Sequence, residues 1–151
     1  MAGRIPKVGS LALTPMLSHK GRLLGDFTAT CIVENIFHMT ASYSAQAQHL
    51  RWFLQHEEAV VTIQHIYDHI NGFQLAGPKL RTLLAICTRD LVNMRFLDVR
   101  QMTVGQVKCI MQRVSYTGDL GYEIFCDPMD QRTLWKILWK NGASMGITPF
   151  G

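Results

Sequence analysis

Helical and extended patterns do not alternate along this chain, and that constrains its fold more than any single motif. Three segments carry helical periodicity. The first covers about 44–58, with Ser44 as its cap and Ala47, Leu50, Phe53 and Leu54 on one face. The second opens at Gly77-Pro78, where proline suits the first helical position. Its apolar stripe is Leu80, Leu83, Leu84, Cys87 and Leu91. The third follows Asp127-Pro128, carries Leu134, Ile137 and Leu138 with Trp135 and Trp139 flanking, and stops at Asn141-Gly142. The rest reads as strands: 11–14, 23–32, 36–40 after a turn at Glu34-Asn35, 60–66, 73–76 after a turn at Asn71-Gly72, 104–115 and 122–126. A parallel sheet needs a crossover, usually a helix, between successive strands. That rhythm is missing. The pattern predicts an α+β fold with antiparallel sheets and about three packed helices. A weak boundary falls near Glu57 to Val60, where the first helix ends.

Composition narrows the class. At 151 residues the chain fits one ordinary domain and buries a real core. It is 48% hydrophobic, which excludes a disordered chain. The net charge of +4 is spread along the sequence, a weak basis for a nucleic-acid partner, and none is expected. No apolar run reaches the ~18 residues of a membrane span, so no membrane partner is expected either. The N-terminus lacks the apolar core of a secretory signal, which points to a soluble intracellular protein. Cys31, Cys87, Cys109 and Cys126 are widely spaced, with no close pair of the kind zinc sites use. They are expected to be buried, reduced and hydrophobic in role.

Few residues stand out for chemistry. His65 and His69 have helical metal-site spacing, but their surroundings are strand-like and lead into Asn71-Gly72, so no metal is expected. There is no dinucleotide fingerprint, phosphate loop or nucleophile elbow. Two segments place carboxylates beside otherwise apolar strands. One is Lys20-Gly21-Arg22-Leu23-Leu24-Gly25-Asp26-Phe27, the other Ser115-Tyr116-Thr117-Gly118-Asp119-Leu120-Gly121-Tyr122-Glu123. A carboxylate in such a place needs a partner or a raised pKa. The ordinary alternative is a turn or edge carboxylate in water.

Those two segments, with Leu13-Thr14-Pro15-Met16-Leu17, resemble the aminomethyltransferase, or glycine-cleavage T-protein, family of folate-binding domains. His49-Leu50-Arg51-Trp52-Phe53, Ala76-Gly77-Pro78-Lys79 and the ending Gly146-Ile147-Thr148-Pro149-Phe150-Gly151 place the resemblance closer to the C-terminal folate domains of dimethylglycine and sarcosine dehydrogenases. It covers nearly the whole chain, with the motifs in family order. It implies a partial fold of that family, with a partial first subdomain at 1–58 and a partial second at 59–151. It also implies that a C-terminal β-rich domain and any upstream flavin domain lie outside this sequence, as in an internal fragment.

The resemblance implies a tetrahydrofolate cofactor in a central channel, and FAD only if an upstream domain accompanies it. The substrate would be a small N-methylated amine or aminomethyl donor, with a flavin domain or partner subunit as the protein partner. The compartment would be cytoplasm or mitochondrial matrix. Asp26 falls on the family's key carboxylate, Glu123 on the residue gripping the pterin ring, and Tyr116 on an aromatic lining the folate site. Ser42 and Tyr43 fall on a turn near the pterin. Gly25 stands where many T-proteins have a second acid, which favours the dehydrogenase branch, and Asp119 replaces a more usual Glu. The competing reading is a non-catalytic regulatory or scaffold relative of the same fold.

Overall fold

A computed structural model describes residues 4–90 and 92–150. The chain divides into two compact units, Met1–Ile66 and Tyr67–Gly151. Both are built on antiparallel sheets, which bears out the α+β expectation.

The first unit is a three-stranded meander, β1 (Ser10–Leu17), β2 (Leu23–Val33) and β3 (Ile36–Thr40), followed by helix α1 (Gln46–Gln55). Asn35 turns β2 into β3 with φ of 63°, a conformation asparagine tolerates better than most residues. Alternation along β2 sends Phe27, Ala29 and Cys31 into the buried layer. Phe27 meets α1 through Phe53, edge-on at 5.3 Å, and His49 at 4.7 Å. Helix α1 starts later than expected. Ser42 holds the cap position of a short 3-10 turn (Tyr43–Ala45), and Ser44 lies inside that turn. The segment 60–66 is not a strand. Val60 is 90% exposed, and no neighbouring strand pairs with this run, so β-branched composition alone does not make it extended structure.

The second unit contains β4 (Asn71–Ala76), α2 (Leu80–Cys87), β5 (Val99–Val104), β6 (Val107–Gln112), β7 (Gly121–Cys126) and α3 (Gln131–Gly142). The sheet order is β4-β7-β6-β5. Its core joins Leu80, Leu84, Leu134 and Leu138 from the helices to Met111 and Ile124 from the sheet. Leu91, expected on the second helix's stripe, lies outside the described residues.

Several boundaries differ from the sequence reading, each for a local reason. The run 104–115 is not one strand: β5 and β6 form a hairpin through Gly105 and Gln106. Gly105 has φ of 62°, as the first position of such a two-residue turn requires, and a Cβ there would lie 2.5 Å from Ile137 Cδ1. Asn71-Gly72 is strand rather than turn, paired to Cys126 and Phe125. The Phe125 ring occupies the space a side chain at Gly72 would need. Helix α2 begins after Pro78-Lys79, and α3 begins after a 3-10 turn whose cap, Asp127, accepts a hydrogen bond from the Met129 amide at 2.8 Å. Helix α3 ends at Gly142, as expected, and the left-handed residue comes after a further 3-10 turn (Ala143–Met145), at Gly146 with φ of 81°. Trp135 and Trp139 stack at 5.5 Å, and Trp135 meets Phe73 of β4, so the pair packs at the sheet. All four cysteines are buried and free.

Candidate functional site

The sheet of the second unit has two chemically different faces. Alternation along β7 sends Tyr122, Ile124 and Cys126 to the helix-covered side, and Glu123 and Phe125 to the other. Register places Gln74 of β4 and Gln112 of β6 on either side of Glu123. A row of three polar side chains therefore crosses three strands. Glu123 Oε2 and Gln112 Oε1 are both shut off from solvent, and neither has a hydrogen-bond partner. Burying an acceptor without a donor costs about 1–3 kcal/mol, more for a charged group. In a native fold such atoms are commonly paired by a water, an ion or a ligand.

Burial also raises the Glu123 carboxyl above its ordinary pKa. A carboxyl held higher in the fold than in the unfolded chain favours the fold at low pH. That contribution is complete below the ordinary glutamate range and is lost as pH rises through the raised native value. Glu123→Gln, which cannot ionise, should therefore gain on the wild type as pH increases. Melting curves from about pH 4 to pH 8 should show the variant's advantage growing steadily with pH. A constant difference across that range would contradict an uncompensated buried carboxylate.

The loop before β7 is held at both ends. Arg113 donates from Nη1 to the Gly121 carbonyl at 3.0 Å and lies over the Tyr122 ring at 5.3 Å. The Gly77 amide donates to the Leu120 carbonyl at 2.9 Å. Within the loop Thr117 donates to Asp119 at 3.1 Å, and Gly118 takes φ of 86°. Tyr116 stands out from this loop at 92% exposure, its ring face open to a flat partner.

The other sequence-selected residues belong to the first unit. Asp26 is exposed on β2, opposite Pro15 of β1 and on the reverse face from Gly25 and Phe27. Ser42 pairs with Ser44 through their hydroxyls at 3.1 Å, and Tyr43 is 70% exposed at the start of the 3-10 turn. Register and burial also bring out two residues that the sequence reading assigned no role. Gln112 was hidden because nothing in one sequence shows that positions 112 and 123 are neighbours. A glutamine interrupting the apolar run Cys109-Ile110-Met111 was the available signal. His49 is 6% exposed, both ring nitrogens lack partners, and its Nε2 sits where a side chain at position 25 would go. Among the described residues, no three or more His, Cys, Asp or Glu side chains gather as a metal site would need.

The family model for the GCVT N-terminal domain matches residues 1–151. The chain belongs to that family. Human mitochondrial dimethylglycine dehydrogenase is 31% identical over 158 residues, covering 99% of this chain and 18% of that protein. The mouse protein of the same name is 30% identical, with 99% and 18% covered. The aminomethyltransferase of Bacillus licheniformis is 26% identical, covering 96% of this chain and 40% of its own length. This aminomethyltransferase-family domain thus spans less than half the length of these relatives. No helix among the described residues is long and apolar enough to cross a membrane.

Proposed function

We propose that this domain binds tetrahydrofolate and serves a one-carbon transfer from a small aminomethyl or N-methylated amine donor. The observation that carries the reading is the buried, unpartnered Glu123 Oε2. A carboxylate in that state fits a ligand edge presenting adjacent N–H groups, and charge-assisted hydrogen bonds of this kind are the strong ones. The 2-amino-4-oxo ring of a reduced folate has such an edge. Names of the relatives support the same chemistry, since aminomethyl and N-methyl groups are both one-carbon units on nitrogen.

Tetrahydrofolate supplies the secondary amines that accept the carbon. The chain's own residues do the rest. Glu123 orients the ring edge. Tyr116 offers a flat face for stacking from its exposed loop. Ser42 and Tyr43 supply hydroxyls from the turn before α1. Asp26 steadies positive charge on the amine-bound carbon and moves a proton between donor and acceptor nitrogens. Its exposure on β2 leaves the carboxylate accessible to a substrate. A flavin domain or partner subunit and a cytoplasmic or mitochondrial matrix setting complete the reading, the latter in keeping with the mitochondrial relatives.

The test is the rate of carbon transfer from an aminomethyl donor to tetrahydrofolate. Asp26→Asn keeps the shape and removes the charge. It should slow transfer about a hundredfold, the usual loss when one positioned acid–base group is removed. Folate affinity should change less than threefold. Transfer by Asp26→Asn at the wild-type rate would rule out this role.

A further inference from the structure

Glu123 alone does not account for the polar row on this sheet. Gln112 is directly opposite it in the β6–β7 register, is 1% exposed, and holds its Oε1 buried and unpartnered. Its neighbours in sequence, Met111 and Arg113, have other duties: Met111 is fully buried in the helix-covered core, and Arg113 ties Gly121 to β6. An amide at this position earns nothing from packing that an aliphatic side chain of the same volume would not give. It costs desolvation instead. Two oxygen acceptors at directly opposed positions on one face of the sheet, both without donors, fit a ligand with more hydrogens than a single bidentate pair supplies.

We propose that Gln112 is a specificity residue: with Glu123 it selects a ligand edge bearing three N–H hydrogens, a ring N–H beside a primary amino group. Glu123 takes the ring hydrogen and one amino hydrogen. Gln112 Oε1 takes the second amino hydrogen. This rests on the folate reading above and adds a residue and a discrimination to it. A site built around buried acceptors rejects an analogue lacking the matching donor far more strongly than a hydrophobic pocket rejects an extra methylene.

The experiment is calorimetric titration with three ligands: tetrahydrofolate, its analogue with oxygen in place of the 2-amino group, and its analogue with a methylated 2-amino group. The wild type should prefer tetrahydrofolate over the 2-oxo analogue by at least about a hundredfold. Gln112→Leu should narrow that ratio about tenfold, a change that a purely structural role would not produce, because it would weaken both ligands alike. Gln112→Met serves if the leucine variant does not fold. The methylated analogue needs no variant at all. It lacks the one hydrogen assigned to Gln112 and should bind the wild type about tenfold more weakly than tetrahydrofolate. An unchanged ratio in the Gln112 variants, or equal binding of the methylated analogue, would overturn the proposal and leave the folate reading standing. Failure of the wild type to bind tetrahydrofolate would overturn both.

Discussion

Leu134→Ala should destabilise the second unit by about 4 kcal/mol, the upper part of the range for truncating a fully buried leucine. Leu134 has no exposed surface and sits in the cluster that joins α2 and α3 to the sheet. Removing its side chain deletes transfer free energy and leaves a cavity that close-packed neighbours cannot fill. The same cluster includes residues of β5, β6 and β7. Lys136→Ala, two residues on and exposed, is the control and should change stability by less than about 0.5 kcal/mol. Urea denaturation of both variants decides this. Equal midpoints for the two would mean that α3 does not pack as described.

Gly25→Val should cost about 3 kcal/mol by a different mechanism. The space beside the Gly25 Cα is already filled by the His49 ring, whose Nε2 is in contact with the position a Cβ would take. His49 is held there by Phe27 at 4.7 Å and has little room to retreat. Overpacking a filled site typically costs 1–3 kcal/mol, and a branched side chain against a ring belongs at the upper end of ~3 kcal/mol. The double variant Gly25→Val/His49→Ala empties the space and should recover at least half of the loss, a coupling that a double-mutant cycle reads directly. A single variant as stable as the wild type, or a double variant worse than the sum of both changes, would contradict the arrangement. The pair also bears on function. The strand position before Asp26 is occupied from across the unit by an imidazole, so residue 25 has no room for a second carboxylate.

Much of this architecture was legible because it rests on local pattern. The stripe at Leu80, Leu83, Leu84 and Cys87 is buried along its length, and Leu134 and Leu138 of α3 are buried in the same cluster. The turn at Glu34-Asn35 was legible from its residues alone. Other features depend on partners that one sequence does not display. The 60–66 run has strand composition but no strand beside it. Asn71-Gly72 has turn composition, yet β7 pairs with it and Phe125 covers the glycine. The hairpin at Gly105 hid inside a long apolar run because Val104 and Val107 flank it on both sides. The site divides in the same way. Glu123 and Tyr116 stand out through one sequence motif, and the roles proposed for them rest on it. Gln112 and His49 acquire meaning only through register and packing.

If Glu123 holds folate, equilibrium titration with tetrahydrofolate reads it without any coupled step. Calorimetry on the purified chain should show one saturable site. Glu123→Ala should weaken it by on the order of a hundredfold, as expected for the loss of hydrogen bonds to a charged group. A cooperatively folded wild type that takes up no tetrahydrofolate, or a Glu123→Ala variant that binds it equally well, would mean that Glu123 is not a folate ligand.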